Sequence, residues 1–295
     1  MSGKRTAPRA EEFAQSARHV LFVEGGGQNA VDPQVLAALL GNTGVSVQAM
    51  GPSYHVASAA EALHEYHPDY YFLVDRDHHD RRIVEKSWRK FPDPATSNLL
   101  IWRRRELENY FLIPEYLEQS QFLSCTSVRL RNTIRNTAQT RIFLDVANLV
   151  ITRLREELKK NWIKHFSSST GLETKEKALK KLLNRPEFGT MKRRVAQKVR
   201  ADLIERTFKK CCKEFLGDED KPEFGAGGWM EMISGKHVLP KVINHCFRVR
   251  DTQGRALPQK ERPEVVLKDL LRKPLADQPD DFQELHRLIS ERVNA

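Results

Sequence analysis

Val20-Leu21-Phe22-Val23-Glu24-Gly25-Gly26-Gly27 and Tyr70-Tyr71-Phe72-Leu73-Val74-Asp75-Arg76-Asp77 decide the fold of this chain. Each is a short apolar run that ends in a carboxylate and then in turn-forming residues. Runs of that length, with no polar residue inside, fit strands buried on both faces of a parallel sheet. In an open parallel α/β sheet, ligands bind beyond the carboxyl ends of the strands. Glu24, Asp75 and Asp77 are therefore expected to converge on one crevice. Carboxylates that close repel one another unless a cation neutralises them, and hard divalent cations prefer oxygen ligands. Asp after a strand and the dipeptide Glu-Gly are also ordinary turn chemistry. Two such ends on one sheet favour a metal-dependent phosphoryl-transfer site.

Outward from these strands, residues 19 to 112 alternate as a βαβ domain does. Strands are expected at His19 to Glu24, Val45 to Met50, Tyr70 to Val74 and Asn98 to Trp102. Between them lie helices at Pro33 to Leu40, with Asp32 as its cap and Gly41 as its end, at Ala57 to Tyr66, and at Arg81 to Phe91. Beyond Pro114 the apolar period lengthens to that of helices. Thr140 to Trp162, Lys175 to Leu183 and Met191 to Phe215 are the clearest, separated by a Ser-rich stretch at 167–171 and by Arg185-Pro186. Further helices are expected at Pro263 to Leu271 and Asp280 to Val293. The resulting division is an α/β core over 16–114, a basic α-helical insertion over 115–228, and a helical C-terminal portion over 229–295 that packs back on the core.

The chain has 295 residues, enough for a full core, and a net charge of +10. Arg153 to Lys213 holds 19 Lys and Arg against 7 Asp and Glu, so this one segment carries more positive excess than the whole chain. That is the electrostatic footprint of a nucleic-acid partner, although a solvated lysine-rich face has the same composition. Lys192, Arg193, Arg194, Lys198, Lys209 and Lys210 are the candidate phosphate contacts. Trp162, Phe166, Phe188 and Phe208 are the few aromatics nearby, which favours recognition by shape and charge over base stacking. The four cysteines lack C-x-x-C spacing, so neither a zinc site nor a disulfide framework is expected. Nothing in the chain has the length and apolarity of a membrane span or a signal peptide, and the expected setting is cytoplasmic.

Gly25-Gly26-Gly27-Gln28-Asn29-Ala30 fits G-x-G-x-x-A formally. A dinucleotide site also wants an acid at the end of the second strand, where Val47-Gln48-Ala49-Met50-Gly51-Pro52 stands instead. No Walker A sequence is present. The strand-end acids resemble the TOPRIM domain shared by topoisomerases, bacterial primases and OLD-family nucleases. In that family a Glu follows the first strand, here Val23-Glu24-Gly25, and an Asp-x-Asp follows the third, here Asp75-Arg76-Asp77. Glu106-Leu107-Glu108-Asn109-Tyr110-Phe111, after the fourth strand, is similar to an element of the small OLD-like TOPRIM effectors of PARIS-type phage defence. The late Gly235-Lys236 suits them too. The three-glycine loop departs from the family, since Asp32 comes eight residues after Glu24, further than the family's common spacing, which leaves its role open between a site acid and a helix cap.

The resemblance implies a TOPRIM, Rossmann-like parallel sheet and a nuclease using Mg²⁺ or Mn²⁺. It implies Glu24, Asp75, Asp77, Glu106 and Glu108 as metal ligands; a continuing strand would put Glu106 and Glu108 on one face, a helix starting there would split them, and Glu108 is taken as the weaker candidate. Glu24, Asp75, Asp77 and Lys236 are the catalytic candidates, Lys236 to stabilise developing negative charge. Nucleic acid, tRNA in particular, is the implied substrate. An ABC-type ATPase is the implied controlling partner, and a homodimer the implied active form. His78 and His79 beside the acids are left without a role. The rival readings are a basic binding module or ATPase-docking subunit without turnover, and a dinucleotide-dependent enzyme. Strand passage by a topoisomerase finds no support in a chain this short.

Overall fold

Strands β1 (His19–Val23), β2 (Val45–Ala49), β3 (Tyr70–Val74) and β4 (Leu99–Ile101) form a four-stranded sheet in the order β2-β1-β3-β4. Every pairing is parallel. Composition explains the order. β1 is buried along its whole length and β3 nearly so, which suits the two central places where helices cover both faces. β2, Val-Ser-Val-Gln-Ala, is half-buried throughout and takes an edge. Val23 pairs with both Ala49 and Leu73, and Val74 with Ile101, so the carboxyl ends of the strands finish close to level.

These coordinates come from a computed structural model, which describes residues 19–26, 30–159, 166, 168, 170–171 and 174–295. Gly27, Gln28 and Asn29 of the glycine loop lie outside the described residues. So do the polar amino terminus, the end of the expected 140–162 helix with Trp162, and part of the Ser-rich separator.

Helices α1 (Val31–Leu40), α2 (Ser53–Leu63) and α3 (Arg81–Lys90) connect the strands. They bury Leu36, Leu40, Val56, Ala60, Val84 and Trp88 completely or nearly so. Asp80 caps α3 by accepting from Arg82 N at 2.8 Å. Asp32 does not cap α1: the N-cap position is Ala30, and Asp32 stands inside the first turn. Helix formation two residues earlier than Pro33 is what frees its carboxylate for another role.

The rest of the chain is helical: α4 (Pro114–Leu117), α5 (Ser127–Gln139), α6 (Ile142–Lys159), α7 (Lys175–Leu183), α8 (Pro186–Lys198), α9 (Ala201–Leu216), α10 (Trp229–Met232), α11 (Gly235–Cys246), α12 (Arg262–Leu271) and α13 (Asp280–Val293). It divides into two compact units. One comprises the residues up to Ala138 together with Met230–Ala295, and the other Gln139–Trp229. The helical unit thus begins later than the expected 115, because the chain ahead of α5 is fastened to α11. Ser124 N donates to the Cys246 carbonyl at 2.8 Å, and Cys246 Sγ meets Thr133 Oγ1 at 3.4 Å. Phe282 of α13 packs its ring among Trp102, Tyr110 and Phe111, with centroids 5.0 to 5.9 Å apart, and so closes the C-terminal portion on the sheet.

Within the second unit α9 packs on α6, where Arg153 forms a bidentate pair with Glu214 at 2.9 and 2.5 Å. Cys211 points inward there and Cys212 is half-buried. The single helix expected over Met191 to Phe215 is two. Arg200 is extended, with φ −63° and ψ 139°, and α9 starts after it. The apolar period runs on across the break, so no residue announces it. Pro186 opens α8 instead of only ending what precedes it, since a proline at a first helical position lacks only an N–H that would have had no partner.

Candidate active site

Glu24 stands one residue past β1 and Asp75 one past β3, so adjacent parallel strands deliver them side by side. Glu24 Oε1 accepts from Asp75 N at 2.8 Å, fixing the two ends against each other. The loop after Glu24 is clipped to the end of β2 by reciprocal Gly25–Gly51 backbone bonds of 3.0 and 2.9 Å. Gly25 has φ 146°, and a Cβ there would meet Ala30 Cβ at 2.9 Å, so no side chain fits. Asp77 lies further along the β3 loop at φ 45°, exposed, with its N–H donating to the Arg105 carbonyl at 3.1 Å.

Residues distant in sequence complete the site because 103–109 is a docking ledge for 230–236. Arg105 N donates to the Glu231 carbonyl at 2.7 Å, and Arg105 Nη1 to the Met232 carbonyl at 3.2 Å. Buried Asn109 donates to the carbonyls of Met230 and Ile233 at 3.0 and 2.9 Å. Gly235 approaches so closely that a Cβ would lie 2.6 Å from Asn109 Oδ1 and 2.8 Å from Asn109 N. This contact puts Lys236, in the first turn of α11, over the strand ends. Lys236 Nζ reaches Asp75 Oδ2 at 2.9 Å.

Glu106 and Glu108 part company here. A 3₁₀ turn at Leu107–Asn109 replaces any continuation of β4, and Glu106 caps it in a reciprocal capping box with Asn109. The Glu106 carboxylate also accepts from Lys236 N at 2.8 Å and from Ser234 Oγ at 3.1 Å. Its acceptor positions are taken up by the protein. Glu108 instead lines a cavity of about 400 Å³ together with Glu24, Asp32 and Lys236. Its Oε2 is buried without a hydrogen-bond partner, as is Asp75 Oδ1. Glu108 is thus the one with an oxygen left for a ligand, the reverse of the expected order, in which Glu108 is the weaker candidate.

The electrostatics are those of carboxylates held together against their repulsion. Burial, reinforced by the charge of Asp75, pushes Glu24 up to about 7. Burial, with Asp75 and Glu108 adding to it, pushes Asp32 to about 8. Glu108 rises to about 7 and Asp75 to about 6 through burial, with Lys236 opposing the rise in both. Burial works against the charge on Lys236, but Asp75 and Glu108 outweigh it and hold its pKa above the ordinary lysine range. A divalent cation fits this donor set, which is all oxygen, mutually repelling, and includes two buried acceptors without partners. Among the described residues, no three or more His, Cys, Asp or Glu side chains are placed so that they could hold a metal ion as they stand.

The sequence reading passed over Ser234, which holds Glu106 in place and also meets His237 Nδ1 at 2.9 Å. A serine at a helix start gives no signal of that task. It also assigned Asp32 no role at the site, though the charges that raise its pKa are those of the acidic cluster. His78 and His79 are exposed. Among the basic candidates of the second unit, Lys192, Arg193 and Lys210 are exposed. Lys198 pairs with Glu157 at 2.5 Å and Lys209 with Glu205 at 2.6 Å, and Arg194 donates to the Glu157 carbonyl. Half of the set therefore has an internal partner. Among the described residues no helix is long and apolar enough to cross a membrane. No family model and no curated protein matches the chain.

Proposed function

We propose that the chain is a divalent-metal-dependent nuclease of TOPRIM type that hydrolyses phosphodiesters of nucleic acid, with RNA preferred. The observation that carries this reading is the convergence of Glu24, Asp75, Glu108 and Lys236 on the carboxyl end of a parallel sheet, next to a cavity. Glu24, Asp75, Asp77 and Glu108 would hold Mg²⁺ or Mn²⁺. When bound, the cation supplies an activated water and neutralises charge on the phosphoryl and leaving oxygens.

The protein's own residues do the rest. Lys236, held charged, offers a donor to a non-bridging phosphate oxygen. Glu106 is a positioning residue: through the Lys236 N–H and Ser234 it fixes the start of α11, and so the root of the lysine. Glu24 braces the backbone of Asp75 and keeps the two strand-end acids in register. With no cation, Glu24, Asp32 and Glu108 hold protons near neutral pH, and the cation would displace them. The basic helices of the second unit supply phosphate contacts. The further reading, a tRNA-cleaving effector of PARIS type restrained by an ABC-type ATPase and active as a homodimer, rests on the resemblance of the motifs.

Purified chain incubated with total tRNA and with plasmid DNA in Mg²⁺ tests the proposal. Cleavage is expected to stop in excess chelator. It should fall by at least about 10²-fold in Glu24→Ala and in Asp75→Ala, with both variants folded and still binding nucleic acid. Full cleavage by Glu24→Ala, or by the natural sequence in chelator, would sink the mechanism. Binding without any metal-dependent cleavage would favour the rival, a binding module.

A further inference from the structure

A groove of about 990 Å³ runs between α1, α11 and α12, all in the first unit, and opens on the acidic site. Val31, Glu108 and Lys236 line both it and the smaller cavity, so the two adjoin. The walls are apolar, formed by Val35 and Ala38 of α1, Leu239 of α11, and Leu267 and Leu271 of α12. Lys260 and Arg272, both exposed, stand on its lining. Besides Glu108, one other polar side chain of the lining has a buried atom without a partner. Asn244 lines the groove, and its Oδ1 is buried without a hydrogen bond. A buried amide acceptor without a partner is costly, and the cost is relieved by a ligand that brings an N–H.

We propose that this groove seats an unstacked nucleobase next to the scissile phosphate, with Asn244 reading its edge. The inference rests on the nuclease reading and names the substrate class for that site: a strand with a base free to leave the stack. Three observations converge on this occupant. The groove begins where Lys236 would hold a phosphate, so what enters it is what is attached to that phosphate. Apolar walls suit the faces of a base, as in pockets that accept extruded nucleotides. The buried Asn244 Oδ1 is an acceptor, and a base seated there offers it an N–H, from the exocyclic amino group of adenine or cytosine or from the ring N3 of uracil. Lys260 and Arg272 suit the neighbouring phosphates.

The test is equilibrium binding of the full chain in excess chelator, so that it does not depend on cleavage. Moderately high salt suppresses the phosphate contacts. The probes are a labelled single strand with adenine at one position, the same strand with uracil there, and one with an abasic residue, each position scanned in turn. Ala38→Trp, at an exposed position, fills the groove. It is expected to weaken binding of the adenine strand about tenfold and to leave the abasic strand unchanged. Asn244→Ala should weaken binding of the adenine and uracil strands while leaving abasic binding as it was. Equal affinity of natural sequence and Ala38→Trp for the adenine strand, or an equal loss for the abasic strand, would overturn the proposal. So would displacement from the groove by a partner protein's helix with no effect of any base. Failure of cleavage with intact base selectivity would instead count against the nuclease reading alone.

Discussion

Asp75 is nearly fully buried, shares one oxygen with Lys236 and leaves the other without a partner, which concentrates the logic of the site in one side chain. Around it Glu24, Asp32 and Glu108 are raised to about 7, 8 and 7. A carboxylate raised in the folded chain keeps a proton that the unfolded chain, titrating near 4, has released. Folded protein therefore binds more protons than unfolded between about pH 4 and 8, and stability in chelator must fall as pH rises through that window. Lys236 has the same sign but acts only at alkaline pH, since its pKa is raised above the ordinary lysine value and the proton it keeps there is one the unfolded chain has lost. Thermal melts in chelator are expected to show a lower midpoint at pH 8 than at pH 5.5. Asp32→Asn should raise the pH 8 midpoint by a few degrees and flatten the slope, and Mg²⁺ should stabilise more at pH 8 than at pH 5.5. A midpoint that climbs with pH across this range would refute the assignment of burial and repulsion as the cause.

At the scale of elements, the paired strand ends and the basic helices do different work. β1 and β3 position the acids through parallel register, whereas α8 and α9 carry exposed cations with few buried side chains, α8 having none. If about six phosphates are neutralised, affinity for nucleic acid should fall by about 10³ between 50 and 200 mM salt. Charge reversal of Lys192 and Arg193 to Glu should weaken binding of every sequence alike and reduce the salt slope by about two. Arg194 belongs in a separate variant, since its bond to the Glu157 carbonyl means that a loss there mixes binding with structure. An unchanged salt slope in the reversed variant would remove these helices from the interface. The elements also show where periodicity fails as a guide. Lys175–Leu183 and Asp280–Val293 match the expected helices residue for residue, while the break at Arg200 was invisible because the apolar spacing on its two sides stays in phase.

For the whole molecule, a metal nuclease that acts on tRNA would be toxic to its host, and the chain has no Walker A sequence with which to control itself. If the proposed effector reading holds, expression of the chain alone is expected to slow growth, and co-expression with a controlling ABC-type ATPase to restore it. Glu24→Ala should grow normally with or without the ATPase. Normal growth with the unmodified chain at high soluble expression would mean that release from a partner is insufficient for activity, or that the tRNA reading fails. Growth curves of the four strains, with protein levels checked, decide this.

The sequence by itself determined the parallel sheet, its two central strands and the placing of Glu24, Asp75 and Asp77 at strand ends. Those are consequences of short-range pattern: an uninterrupted apolar run demands cover on both faces, and the first carboxylate after it must lie at the rim. Tertiary structure alone decided the rest of the site. Lys236 faces Asp75 across 161 positions of sequence because Asn109, Arg105 and the close approach of Gly235 dock 230–236 on the ledge after β4. Glu106 and Glu108 are two residues apart, yet one is saturated by Ser234 and Lys236 N while the other turns to the cavity. Asp32 became part of the acidic cluster when α1 began at Val31. No local pattern carries such outcomes, because burial, repulsion and the satisfaction of a hydrogen bond depend on what distant segments bring alongside.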